Sequence, residues 1–253
     1  MLGSAFFSTF TLAGRFVKFL KVLFDFFVPP VCLVCGKDTE EELVCQECIN
    51  LLSPIEKRFC ILCGNPFTKR EVCKYCKDYK LSLSRIRSLY KFEHPLPLLI
   101  HEFKYKNKRK LGEIFGKKMA VLVRSDPYLK NAELIIPVPL HPSKKRERGY
   151  NQSEIIALQI SQDMGIRMLN ILKRVKNTRT QTELSVQERR RNVEGAFVLL
   201  QEFKETIKGK KVLLVDDVIT TGATLDACSE VLLKNGAQEV YGVTLGGAYI
   251  ERK

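Results

Sequence analysis

Residues 212–224 read Val-Leu-Leu-Val-Asp-Asp-Val-Ile-Thr-Thr-Gly-Ala-Thr, and no other stretch constrains the fold as tightly. The apolar run Val212 to Val215 predicts a strand buried on both faces of a parallel sheet. Asp216 and Asp217 stand where that strand is expected to end, and a helix is expected to open near Ala223. Ligands of open α/β sheets bind at the carboxyl ends of the strands, so each part of the run acquires a role. Thr220, Thr221, Gly222, Ala223 and Thr224 offer backbone N–H groups, hydroxyls and a helix N-terminus, the makings of a phosphate cradle. Gly222 lets an anion approach the backbone with no side chain in the way. The two carboxylates repel phosphate, and vicinal ribose hydroxyls are the hydrogen-bond donors that suit them. A ribose 5-phosphate fits the whole run.

In residue order the run closely resembles the phosphoribosyl pyrophosphate (PRPP) motif of type I phosphoribosyltransferases. That resemblance implies an α/β fold: a mostly parallel sheet with flanking helices. Asp216 and Asp217 would then hold the ribose, and Thr220 to Thr224 the 5-phosphate.

Eight of the nine cysteines form a second pattern. Cys32, Cys35, Cys45 and Cys48 recur after 28 residues as Cys60, Cys63, Cys73 and Cys76, and Gly36 recurs as Gly64. Paired thiolates on tight Cys-x-x-Cys-Gly turns suit tetrahedral Zn²⁺, with no position left open for catalysis. A disulfide framework needs an oxidising compartment, and none is expected here. Each repeat is self-contained, so sequential pairing and two structural zinc ions are expected; an interleaved cross-brace is the alternative. Cys228 lies on a helical pattern with Leu225, Val231 and Leu232, and core packing is expected for it.

Lys and Arg number 42 against 28 Asp and Glu, a net charge of +14, which favours polyanionic partners without choosing among them. In the first 28 residues, Arg15, Lys18, Lys21 and Asp25 recur at helical steps opposite Phe16, Phe19, Leu20, Leu23, Phe24 and Phe27. These charges interrupt any membrane-spanning run. An amphipathic helix docked on its own protein is the favoured reading, and peripheral membrane contact the other. A cytoplasmic location is expected. Composition changes after Cys76, giving three expected segments: residues 1–28, a double zinc knuckle over 29–80 and an α/β domain over 81–253.

Between these landmarks, strands are expected at Ser84–Glu93, Glu133–Pro139 and Gly195–Leu199, and near Tyr241–Gly247. Helices are expected from His94 to about Ser125 and over Gln152–Met164. Phe103, Lys104, Tyr105, Lys106, Lys108, Arg109 and Lys110 interleave aromatics with cations. Such a run is either a platform for single-stranded nucleic acid or an ordinary solvated helix face. Leu140 to Gln152 reads as a basic loop in which Arg148, Gly149 and Asn151 are placed to hold a diphosphate. Arg174 to Asn192 reads as a solvated linker or, in a phosphoribosyltransferase frame, as the mobile loop that closes over PRPP, with Arg179, Gln181 and Arg189.

Taken in order, several further features complete a resemblance to the ComF family. They are the apolar lead-in to Pro29-Pro30, the cysteine knuckles, Phe103-Lys104-Tyr105, Pro137-Val138-Pro139, Arg148-Gly149-Tyr150-Asn151-Gln152, Gly195-Ala196-Phe197 and the PRPP motif. Members are bacterial late-competence proteins in which a zinc finger is fused to a phosphoribosyltransferase-like domain. The resemblance implies binding of PRPP with Mg²⁺ and handling of single-stranded DNA in the cytoplasm during natural transformation, beside the DNA-uptake machinery. The alternative is an active phosphoribosyltransferase that releases diphosphate from PRPP; no residue names its base or nucleotide acceptor, and no catalytic residue is assigned.

Overall fold

The computed structural model describes residues 30–39, 43–55, 58–66, 72–177 and 186–249. The expected N-terminal amphipathic helix, Arg179 and Gln181 lie outside them. The chain divides into two compact units between Leu51 and Leu52.

In the first unit an antiparallel bridge, Val31 to Asp38, closes the first cysteine turn, and α1 (Gln46–Asn50) carries the last ligand of the knuckle. In the second unit the matching bridge runs from Phe59 to Pro66 and the matching helix is α2 (Lys74–Asp78). There follow β1 (Arg85–Lys91), α3 (Leu96–Tyr105), α4 (Lys110–Ser125) and β2 (Leu134–Pro137). Next come α5 (Pro142–Arg148), α6 (Gln152–Met164), β3 (Arg167–Met168) and β4 (Leu172–Arg174). The chain continues through α7 (Val186–Val193), β5 (Phe197–Leu199), α8 (Lys204–Ile207), β6 (Lys211–Ile219), α9 (Ala223–Lys234) and β7 (Glu239–Gly247).

Five strands form a parallel sheet in the order β1-β7-β6-β2-β3, and β4 pairs with β5 in a small antiparallel ribbon. From β2 the chain builds outward to β3, then returns to β6 and builds the other way to β7, so the order reverses between β2 and β6. A crevice opens at such a switch point. Side chains alternate along β6, and Val212 and Leu214 join Leu134, Ile136 and Val240 in one core with Leu225, Cys228 and Leu232 of α9. Leu213 and Val215 are equally buried, which is why the run is apolar without alternation.

Several boundaries differ from expectation. β6 continues through both acids to Ile219 because β7 keeps pairing with it, Asp216 opposite Thr244 and Ile219 opposite Gly247. Its other neighbour stops: the last residue pair with β2 is Pro137 with Val215, and the proline at 139 has no N–H to extend the ladder. The helix expected from His94 to Ser125 is broken between Tyr105 and Lys110, where Asn107 takes a left-handed conformation (φ 53°). The basic loop at 140–152 contains α5, started by His141, which accepts the Ser143 N–H, and by Pro142 in its first turn.

The second knuckle is continuous with the sheet. Leu62 O accepts the Ile86 N–H at 2.6 Å, Ser53 O accepts from Lys91, and Leu89 O accepts from Ile55 at 3.0 Å. These bonds cover the outer edge of β1, which would otherwise present unpaired backbone groups. Arg87 of β1 reinforces the joint, with its guanidinium 3.5 Å from the Phe59 ring centroid and ion-paired to Asp126 at 3.3 Å.

Candidate functional site

In both knuckles the ligand atoms are brought together by local geometry. The sulfurs of Cys32, Cys35, Cys45 and Cys48 lie within 4.8 Å of one another, as do those of Cys60, Cys63, Cys73 and Cys76. The thiols therefore group sequentially, and the cross-brace is excluded. The turns repeat: Gly36 N–H donates to Cys32 O and Gly64 N–H to Cys60 O, each at 2.9 Å. The Cys45 N–H points at Cys32 Sγ and the Cys73 N–H at Cys60 Sγ, each at 3.4 Å. Burial opposes ionisation of Cys32, yet the N–H groups of Cys35, Cys45 and Val34 outweigh it and bring the thiol down to about 6. Four converging sulfurs with donors aimed at them are a tetrathiolate site for Zn²⁺.

The second constellation occupies the crevice beside β6. Asp216 and Asp217 lie where β6 has lost its β2 neighbour, and the N-terminus of α6 faces that open edge. Asn151 caps α6, accepting the Ser153 N–H and donating through Nδ2 to Val138 O at 2.9 Å. Ser153 Oγ in turn donates to Asp216 Oδ1 at 3.0 Å. Burial, and then the charge of Asp217, push the Asp216 carboxyl up to about 7.

Past β6, Gly222 takes φ +77° and precedes α9 without supplying a side-chain cap. Thr221 Oγ1 lies 3.4 Å from the Ala223 N–H, and the N-terminus of α9 presents the positive end of its dipole at this turn. Asp226, in that turn, would repel an anion but is engaged by Arg190 at 2.9 Å and by the Ser82 N–H at 2.6 Å. Leu81 packs near Gly222, so residues following the second knuckle brace the loop.

Lys104 and Arg174 approach the acid pair, and Arg148 and Lys144 of α5 lie beside them. Lys104 Nζ of α3 is 2.7 Å from Asp217 Oδ2. Arg148 of α5 donates to Gln152 Oε1 at 3.1 Å and to the Tyr105 hydroxyl at 3.3 Å. Arg174, at the end of β4, is buried and feels the charge of Asp216. Burial, and then Arg174, Arg148 and Lys104, hold the Lys144 ammonium below its ordinary value. The acid pair thus lies beside basic side chains, so acceptors for hydroxyl groups and cations for anionic groups stand side by side.

Arg148 and Asn151 thus join Asp216 and Asp217 through Gln152 and Ser153, while Gly149 ends α5 in a left-handed turn. Arg189 is buried on α7. Lys144 lies in the basic loop read from the sequence, whereas the places of Lys104 and Arg174 beside the acids, and of Ser153 against Asp216, are not legible there. Lys104 carries the one signal that sequence offers: it follows the buried Ile100 by four residues, at the flank of an apolar stripe with Leu96 and Phe103. Phe103 is fully buried and therefore withdrawn from any stacking surface, whereas Tyr105 is 54% exposed. Cys228 is buried in the core, as expected.

Among the described residues, no helix is long and apolar enough to cross a membrane. Residues 23–77 match the double zinc ribbon domain, and residues 148–247 match the phosphoribosyl transferase domain. Competence protein F of Haemophilus influenzae is 36% identical over 187 residues, 72% of this chain and 81% of that protein. DNA utilization protein YhgH of Escherichia coli O157:H7 is 29% identical over 220 residues, 84% of this chain and 95% of its own. Competence protein ComFC of Bacillus subtilis is 25% identical over 235 residues, 85% and 94% of the two chains. With the ribbon match and two clusters of four cysteines, zinc is the structural metal, and the sheet is of phosphoribosyltransferase type.

Proposed function

The chain belongs to the family of competence protein F, and from that premise we propose that it binds PRPP with Mg²⁺ and handles single-stranded DNA in the cytoplasm during natural transformation. The observation that carries the ligand reading is the Asp216–Asp217 pair near the end of β6, the strand that leads into the turn before α9, with Lys104 paired to Asp217. In this reading the two carboxylates accept the ribose hydroxyls, and Thr220 to Thr224 cradle the 5-phosphate. Arg148, Lys144 and Arg174 face the diphosphate, with Gly149 and Asn151 shaping their approach. Hard carboxylate oxygens beside substrate phosphates also suit Mg²⁺, which would screen the diphosphate when bound. Arg179, Gln181 and Arg189 belong to the segment that closes over the ligand.

A second reading, phosphoribosyl transfer, is favoured by one feature: an Asp216 carboxyl near 7 is matched to proton transfer at neutral pH. There a nitrogen nucleophile would bond to the anomeric carbon as the bond to diphosphate breaks.

Calorimetric titration with PRPP and Mg²⁺ tests the binding claim, and diphosphate release with a panel of bases and oligonucleotides separates the two readings. Hydrogen bonds to charged groups are worth roughly 1.5–3 kcal/mol. Asp217→Asn should therefore weaken PRPP about ten- to a hundredfold. Unchanged affinity in a folded Asp217→Asn, Thr221→Ala double variant would overturn the site.

A further inference from the structure

We infer that the PRPP crevice and the surface for single-stranded DNA share one set of cations, so that the two ligands exclude each other. This rests on the reading above and goes beyond it by fixing how its two ligands relate.

Lys104 and Tyr105 are successive residues facing different tasks: Lys104 Nζ is held by Asp217 at 2.7 Å, while the Tyr105 ring stands half in solvent. The Arg148 guanidinium lies 5.1 Å from the centre of that ring, and His101 flanks it at 5.0 Å with a 45° tilt. An exposed aromatic beside a guanidinium is what an unpaired base stacks on. The phosphate of a stacked nucleotide lies one sugar away from its base, within the reach of Arg148. Arg148 is also tied through Gln152 to the turn that holds Ser153 against Asp216. Lys144 lies among Arg174, Arg148 and Lys104, each of which acts on its charge, with Glu147 opposing them. A strand that recruits Arg148 takes it from the diphosphate. A bound diphosphate likewise brings negative charge to the same cations. The Lys104–Asp217 pair makes the exchange two-sided, since a ligand that draws Lys104 away also changes the charge on the acid that receives ribose.

The test uses the full-length, zinc-loaded protein and fluorescence anisotropy of a labelled oligothymidylate at low salt with Mg²⁺. The apparent Kd for DNA should rise in proportion to added PRPP, by about tenfold at ten times the Kd of PRPP itself. Sodium sulfate at matched ionic strength should not reproduce that proportional rise; if it does, simple screening explains the effect and sharing is wrong. Arg148→Gln, checked for folding by its thermal transition, should weaken both ligands by about tenfold each. Loss of only one affinity in that variant, or unchanged DNA affinity at saturating PRPP, overturns sharing and leaves the proposed function standing. No calorimetric PRPP binding, or no DNA binding at low salt, overturns both.

Discussion

Asp216 shows what the site costs at the level of one residue. Burial and the neighbouring Asp217 push its carboxyl up to about 7, whereas an unfolded aspartate titrates near 3.9. The folded protein therefore holds a proton that the unfolded chain releases between about pH 4 and 7. Stability must fall as pH rises through that window. Asp216→Asn removes the titration and keeps an acceptor for Ser153 Oγ. A tenfold change in proton affinity is about 1.4 kcal/mol, and water reaching part of the carboxyl reduces the total, so a gain of roughly 1–2 kcal/mol is expected at pH 8. The gain should shrink toward zero as pH falls through 7 to about 4, while PRPP binding is weakened throughout. Denaturant titrations at several pH values check this; a gain that is constant with pH would show that Asp216 is an ordinary ionised carboxylate. Destabilisation retained for a ligand is common at functional sites.

At the scale of elements, the position of α6 decides whether Asn151 and Ser153 reach the crevice, and α4 decides the position of α6. The two helices approach closely at Gly112 and Gly116. A Cβ on Gly116 would lie 2.5 Å from Gln159 Cβ and 3.2 Å from the Ile156 carbonyl oxygen. Helix propensity alone says that Gly116→Ala stabilises by about 1 kcal/mol. The backbone oxygen cannot move aside as a side-chain tip would, so overpacking should prevail at about 1–3 kcal/mol destabilising. Thermal unfolding gives the sign, and a stabilised variant would mean that α4 and α6 slide apart at little cost. Because Ser153 travels with α6, PRPP affinity should fall together with stability.

Across the whole molecule the two zinc sites have different consequences although their sequences repeat. The first is confined to its own unit; the second is built into the unit that contains the sheet. Its knuckle is held by Tyr249, whose hydroxyl donates to Cys63 O at 3.1 Å and lies 2.8 Å from Ser88 Oγ. Cys32→Ser should cost one equivalent of zinc and leave unfolding of the sheet unchanged. Cys63→Ser should cost one equivalent and also lower the sheet's unfolding temperature, because the covered edge of β1 and the brace on Gly222 loosen together. Elemental analysis and calorimetry read both effects. Equal thermal consequences, or loss of both metals from one substitution, would contradict the separation.

Sequence by itself determined the local features. The cysteine spacing defines two self-contained knuckles, the run from Val212 to Thr224 defines a strand, an acid pair and the turn into a helix, and the helix from Gln152 to Met164 is legible as a whole. Each is written in consecutive residues, because turn geometry, capping and burial on both faces act over short range. Tertiary structure decided what meets the acid pair. Lys104, the α5 pair Lys144 and Arg148, and Arg174 come from three separate segments, and nothing in a lysine's immediate neighbours states which carboxylate it will face. It also decided how far β6 runs, since strand length depends on when β2 stops and β7 continues. The unequal standing of the two zinc knuckles came from the same source. Their ligand spacing is identical, and hydrogen bonds to β1 make the second continuous with the sheet.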